Sequence, residues 1–124
     1  MDGRKRQVTV AMGSNHLADK AMPKALEHLA RLLSDMRHTR IMPNDALGGL
    51  PGPFFNCMAT GWTTLDADAL VAALKAIERR CGDRRYLRRE GKVVMDIDLM
   101  DYDGTRHHED DWQRPYIKTL YEEL

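Results

Sequence analysis

The apolar positions of this chain change period along its length, and each change marks an element. Val8 to Met12 is a short β-prone run that ends in Gly13-Ser14-Asn15, a turn-forming cluster. Leu26, Leu29, Leu32, Leu33 and Met36 then recur at helical spacing. They predict a helix that starts between Leu17 and Pro23, with Pro23 suited to a first turn. His38 to Met42 is β-compatible and is ended by Pro43, and the glycines and prolines of 44–53 predict a loop. Period two returns at Phe54 to Thr64, with Phe55, Cys57 and Ala59 facing one way and Phe54, Asn56 and Met58 the other. Asp66 is placed to cap a helix running to about Cys81, where Gly82 stops it. Its stripe is Leu70, Leu74, Ile77 and Cys81, which leaves Lys75, Glu78 and Arg79 on the wet side. Lys92 to Met100 is predicted as a strand, and Pro115 opens a short tail helix with Tyr116, Leu120 and Leu124 in a weak stripe.

The resulting order of strand, helix, strand, strand, helix, strand and tail predicts an α+β fold of the ferredoxin-like βαββαβ type in a single domain, 1–124. It would have a four-stranded antiparallel sheet, two helices on one face and a short C-terminal helical tail. Strand parity then sorts the candidate chemistry. Met95, Ile97, Leu99, Phe55 and Cys57 fall under the helices, and Phe54, Asn56, Asp96 and Asp98 share the open face. Two carboxylates two residues apart on one strand face repel each other, and a divalent cation removes that penalty. Their hard oxygen ligands suit magnesium; taken alone, the pair reads as a sheet face simply open to water. An aromatic ring beside a carboxamide can stack on a flat heterocycle and hydrogen-bond its edge, or else form a cross-strand aromatic pair with the Asn56 amide holding a loop backbone.

Composition narrows the partners. Lys plus Arg and Asp plus Glu are 19 each, so no net charge draws the chain to nucleic acid or an anionic membrane. No apolar run reaches the length of a membrane span. The basic start has no apolar signal core behind it, so the expected location is cytoplasmic. Cys57 and Cys81 sit in apolar patterns and read as reduced core residues, and the adjacent His107 and His108 point apart and read as surface. Local charge is more telling. Arg84, Arg85, Arg88, Arg89 and Lys92 crowd the connection before the Asp96–Asp98 strand, and a cationic loop beside a metal site suits a polyphosphate. The apolar, glycine-rich Leu47 to Pro53 segment is suited to close over a ligand or to tuck on its own leucines.

Taken in order, these residues resemble the 6-hydroxymethyl-7,8-dihydropterin pyrophosphokinase family of folate biosynthesis. Val10 to Asn15 resembles its opening strand and Gly-Ser-Asn, and Leu47-Gly48 through Asn56 resembles its pterin loop. Ile77-Glu78 through Arg85 resembles the helix end before its mobile catalytic loop, and Met95 to Met100 resembles its metal motif. The resemblance implies transfer of the β,γ-diphosphate of ATP to the pterin hydroxymethyl group, releasing AMP. It implies two magnesium ions on Asp96 and Asp98, with Arg84, Arg85 and Lys92 neutralising phosphate charge. It further implies a pterin site at Leu47, Gly48, Phe54, Asn56 and Tyr121, and nucleotide contacts from Glu78, Arg88, Arg89 and Tyr116. The partners are then small molecules, with the oligomeric state left open.

Several positions depart from the family pattern. Asp83 stands where an arginine usually follows the glycine, and Glu90-Gly91-Lys92-Val93 replaces a Trp-Gly-Pro-Arg run. Pro115-Tyr116 replaces Pro-His. Typical members continue beyond the point matching Leu124 and supply there an arginine and a second aromatic wall, whose places Lys118 and Tyr121 are expected to take. These departures open a second reading, a catalytically degenerate relative that binds a pterin or nucleotide or serves protein interaction. A third, an RNA-binding sheet, conflicts with two aspartates on the face that would meet phosphate.

Overall fold

The computed structural model describes residues 3–44 and 52–124. The elements in order are β1 (Arg6–Ser14), α1 (Ala18–Leu32), β2 (Ser34–His38), β3 (Met42–Asn44), β4 (Phe54–Thr63), α2 (Ala67–Arg80), α3 (Arg85–Arg89), β5 (Asp96–Tyr102) and β6 (Thr105–Arg106), then a 3-10 turn at Asp111–Gln113 and α4 (Pro115–Tyr121). Among the described residues the sheet runs β2-β4-β1-β5-β6, with β3 also paired to β4 and every pair antiparallel. β1 and β2 are therefore parallel with β4 between them, and β4 and β5 are parallel with β1 between them. Each such pair is bridged by one of the two long helices.

Both helices cover one face. Val8, Val10 and Met12 of β1, Cys57 and Ala59 of β4, and Ile97 and Leu99 of β5 pack against Ala21, Met22, Ala25 and Leu29 of α1 and Leu70, Leu74 and Ile77 of α2. Each fully buried aliphatic side chain of this kind contributes about 1.5–3 kcal/mol. Asp66 caps α2 as its position predicts, accepting the Ala69 amide at 2.8 Å, and α2 ends before Gly82, at φ 104°. The two cysteines are free, and burial pushes both thiols upward.

The structure corrects the predicted elements in five places. The expected strand at His38–Met42 is two strands, β2 and β3, and with β6 the count is six rather than four. The break falls at Thr39, whose hydroxyl takes the Met58 amide at 3.0 Å and so replaces a ladder carbonyl. α1 stops at Leu32, which puts Met36 in β2 rather than on the helix stripe. Pro23 lies in the second turn of α1 and not the first, on its exposed side. β5 begins at Asp96 instead of Lys92. Val94 packs into the helix-side core instead of joining the carboxylate face, because side chains of Asn15 and Asp83 take the amides of 93–95. Finally, the open face is half covered. Trp112, Ile117 and Leu120 of the tail pack on Met58 and Met100, and the Trp112 indole donates to the carbonyls of Met100 and His107 at 3.1 Å each. No helix of the described residues is long and apolar enough to cross a membrane.

Candidate active site

The half of the face that α4 leaves open is a hollow in the sheet itself. Pairing sets Gly13 of β1 opposite Asn56 of β4 on one side and Asp96 of β5 on the other. The next row with the same orientation is Met58, Ala11 and Asp98. The central strand thus carries its smallest side chains between the functional groups of its neighbours. A cavity of about 290 Å³ results, lined by Phe54, Asn56, Asp96, Asp98, Arg88 and Tyr116 around Ala11 and Gly13. The floor is close: a Cβ on Gly13 would stand 3.3 Å from Asn56 Oδ1 and 3.7 Å from a Phe54 ring carbon.

Each polar group here is oriented by a neighbour. Asn56, 6% exposed, donates its side-chain amide to Asn44 Oδ1 of β3. The short β3, which the sequence reading did not separate, therefore fixes which way the carboxamide faces. Burial, and then the adjacent Asp96 charge, pushes the Asp98 carboxyl up to about 6, and a hydrogen bond shared with Asp96 adds to the effect. Such a pair favours holding either one proton or a cation. The donor set, two carboxylates with an open side, fits a magnesium ion whose other positions come from water and phosphate oxygens. No group of three or more metal-binding side chains occurs among the described residues. Burial pushes the Tyr116 phenol upward as well.

The predicted site residues divide accordingly. Phe54, Asn56, Asp96, Asp98, Arg88 and Tyr116 come together at the cavity. Glu78 stands just behind it and is buried, not on the wet side: its Oε2 accepts the Ile97 amide at 2.7 Å and Lys75 at 3.0 Å. Burial pushes its carboxyl upward. Arg84 is turned onto the carbonyls of Arg79 and Asp83, both at 2.8 Å, and Lys92 pairs with Glu90 at 3.1 Å. Arg85 and Arg89 are exposed on α3, outside the cavity lining. Tyr121 is also outside, edge-on to Trp112 at 5.1 Å and lining a separate groove with Trp62. Tyr116, one turn earlier in α4, is the aromatic that reaches the cavity. Leu47 and Gly48 lie outside the described residues.

Two structural residues were not singled out as such from the sequence. Asn15 pins the end of the cationic segment, exchanging bonds with the Val93 backbone at 2.9 and 2.6 Å and donating to the Gly91 carbonyl at 2.9 Å. Asp83, noted above only as a departure, is buried and bonded to Arg88 at 2.6 Å. An acid after the helix-stopping glycine was the available signal.

Comparison with known proteins places the sequence in a family. The chain is 32% identical over 119 residues to a folate synthesis bifunctional protein of Chlamydia caviae, a match covering 88% of this chain and 26% of that protein. It therefore spans about a quarter of the relative's length. Residues 9–124, which include every residue lining the cavity, match the family described as 7,8-dihydro-6-hydroxymethylpterin-pyrophosphokinase, and the chain belongs to that family.

Proposed function

We propose that this chain transfers the diphosphate of ATP to 6-hydroxymethyl-7,8-dihydropterin, releasing AMP, in folate synthesis. The observation that carries this reading is the pair of rows Asn56–Gly13–Asp96 and Met58–Ala11–Asp98, which with Phe54 beside them sets a carboxamide and an aromatic ring at one side of a cavity and two carboxylates at the other. The pterin lies with its hydrogen-bonding edge toward Asn56 and its faces against Phe54 and Tyr116, with Gly13 leaving room for the flat ring. Its hydroxymethyl oxygen then points toward Asp96 and Asp98. That oxygen forms a bond to the β-phosphorus of ATP, the bond from that phosphorus to the α,β-bridging oxygen breaks, AMP leaves, and the hydroxyl proton passes to solvent water. Magnesium held by Asp96 and Asp98 would neutralise phosphate charge, which this kind of transfer needs more than covalent help. Arg88 offers a guanidinium on the same side.

The test is AMP formation from ATP and magnesium with and without the pterin, for wild type and Asp98→Ala. Pterin-dependent AMP that disappears in the variant is expected. A folded wild-type protein that makes none at saturating substrates would sink the reaction. The pairing of Arg84 and Lys92 within the segment favours a second reading, a binding module without transfer. That reading predicts pterin and nucleotide binding with no AMP.

A further inference from the structure

Of the five cations in 84–92, Arg88 alone lines the cavity, and it is not a loose side chain. Its Nε donates to Asp83 Oδ2 at 2.6 Å, and one terminal nitrogen donates to the Met95 carbonyl at 3.0 Å. That nitrogen also lies 3.5 Å from Asp96 Oδ1 and 3.7 Å from Glu78 Oε1. Asp83 cannot follow Arg88 if it moves. It is 8% exposed, and its other oxygen takes the amides of Val94 at 3.0 Å and Met95 at 3.3 Å. One buried carboxylate therefore ties the guanidinium to the backbone that leads directly into Asp96. The other terminal nitrogen has no partner among the described residues, and the side chain is 37% exposed.

We propose that Asp83 is a positioning residue: it holds Arg88 as a fixed cation at the cavity mouth, where the free edge of the guanidinium binds the transferred phosphates. The inference rests on the pyrophosphokinase reading and adds to it. A guanidinium has five N–H donors in a rigid plane, so Asp83, Met95 and a phosphate can be served at once. A side chain ordered before binding loses less freedom when the ligand arrives. Asp83 in place of an arginine is then no loss of charge. The acid gives up the cation at its own position and anchors another one turn along α3.

The test is calorimetric binding of the magnesium complex of α,β-methylene-ATP, which cannot transfer its diphosphate, alongside binding of the pterin. Arg88→Met should weaken the nucleotide analogue about tenfold, the loss of a charge-assisted contact, and change pterin affinity less than twofold. Asp83→Asn keeps an oxygen for the Val94 and Met95 amides and should show a similar nucleotide-specific loss. The double variant should be no weaker than Arg88→Met alone, because Asp83 acts through Arg88. Losses that multiply in the double variant, or an Arg88→Met protein that binds the analogue as wild type does, overturn the proposal. Should Asp83→Asn not fold, Arg88→Lys decides, since lysine keeps the charge but lacks the rigid plane that faces Asp83 and Met95 on one edge and phosphate on the other. Full affinity with lysine overturns the proposal, and a loss approaching that of Arg88→Met supports it. Wild type that binds neither ligand overturns the reaction assignment itself, and this inference with it.

Discussion

Asp98→Asn should stabilise the metal-free protein while abolishing the proposed diphosphate transfer. The Asp98 carboxyl is pushed from 3.8 to about 6, first by burial and then by Asp96. The folded state thus binds this proton more tightly than the unfolded chain does. Below about pH 4 the group is protonated in both states and contributes no penalty. As pH rises through about 6 the folded protein must accept a charge it disfavours, and stability falls until that charge is complete. The full shift corresponds to about 3 kcal/mol. The side chain is only partly shielded from water, so solvent screening reduces this to about 1–2 kcal/mol. An asparagine has no charge to desolvate. In urea unfolding with EDTA at about pH 7.5, Asp98→Asn should exceed wild type by about 1–2 kcal/mol, and the difference should vanish near pH 4. Magnesium should stabilise wild type and leave the variant nearly unchanged. A variant as stable as wild type at about pH 7.5, or a gap that does not move with pH, would refute the argument that desolvation and Asp96 strain this site.

Three further outcomes follow from the same geometry. Gly13→Ala should lower pterin affinity about tenfold in a titration while the protein stays folded, since the added methyl meets Asn56 Oδ1 at 3.3 Å and narrows the cavity floor. Trp112→Phe removes the donor to two carbonyls and should cost about 1–3 kcal/mol in urea unfolding, with pterin affinity falling as α4 and Tyr116 loosen. Asp66→Ala removes the α2 cap and should cost about 1 kcal/mol without changing either ligand's affinity, which separates fold stability from the site.

What the sequence disclosed and what it hid have the same physical origin. Side-chain parity in a strand is rigid, so alternation alone put Phe54 and Asn56 on the same face as Asp96 and Asp98, and the paired strands confirm it. Nothing in that pattern says where a strand starts. Val94 reads as part of β5 until Asp83, eleven residues earlier, is seen to take its amide. Glu78 is more instructive. It stands four residues after Leu74 and beside Ile77, so the helical period already placed it on the buried stripe of α2. Its charge argued for the wet side. A buried carboxylate is tolerable only with donors, and those donors come from elsewhere: the first free amide of β5 at Ile97, Lys75 one turn back, and Arg88 beyond. The same holds for the cations of 84–92. Their sum was visible, but not which of them the local fold turns to the cavity, and pairing with Asp83 is what holds Arg88 there. Apolar periodicity is a local property and survives the step from sequence to structure. The placement of a charge depends on a partner distant in the chain, and in this protein those partners converge on the entry to β5, where the two carboxylates begin.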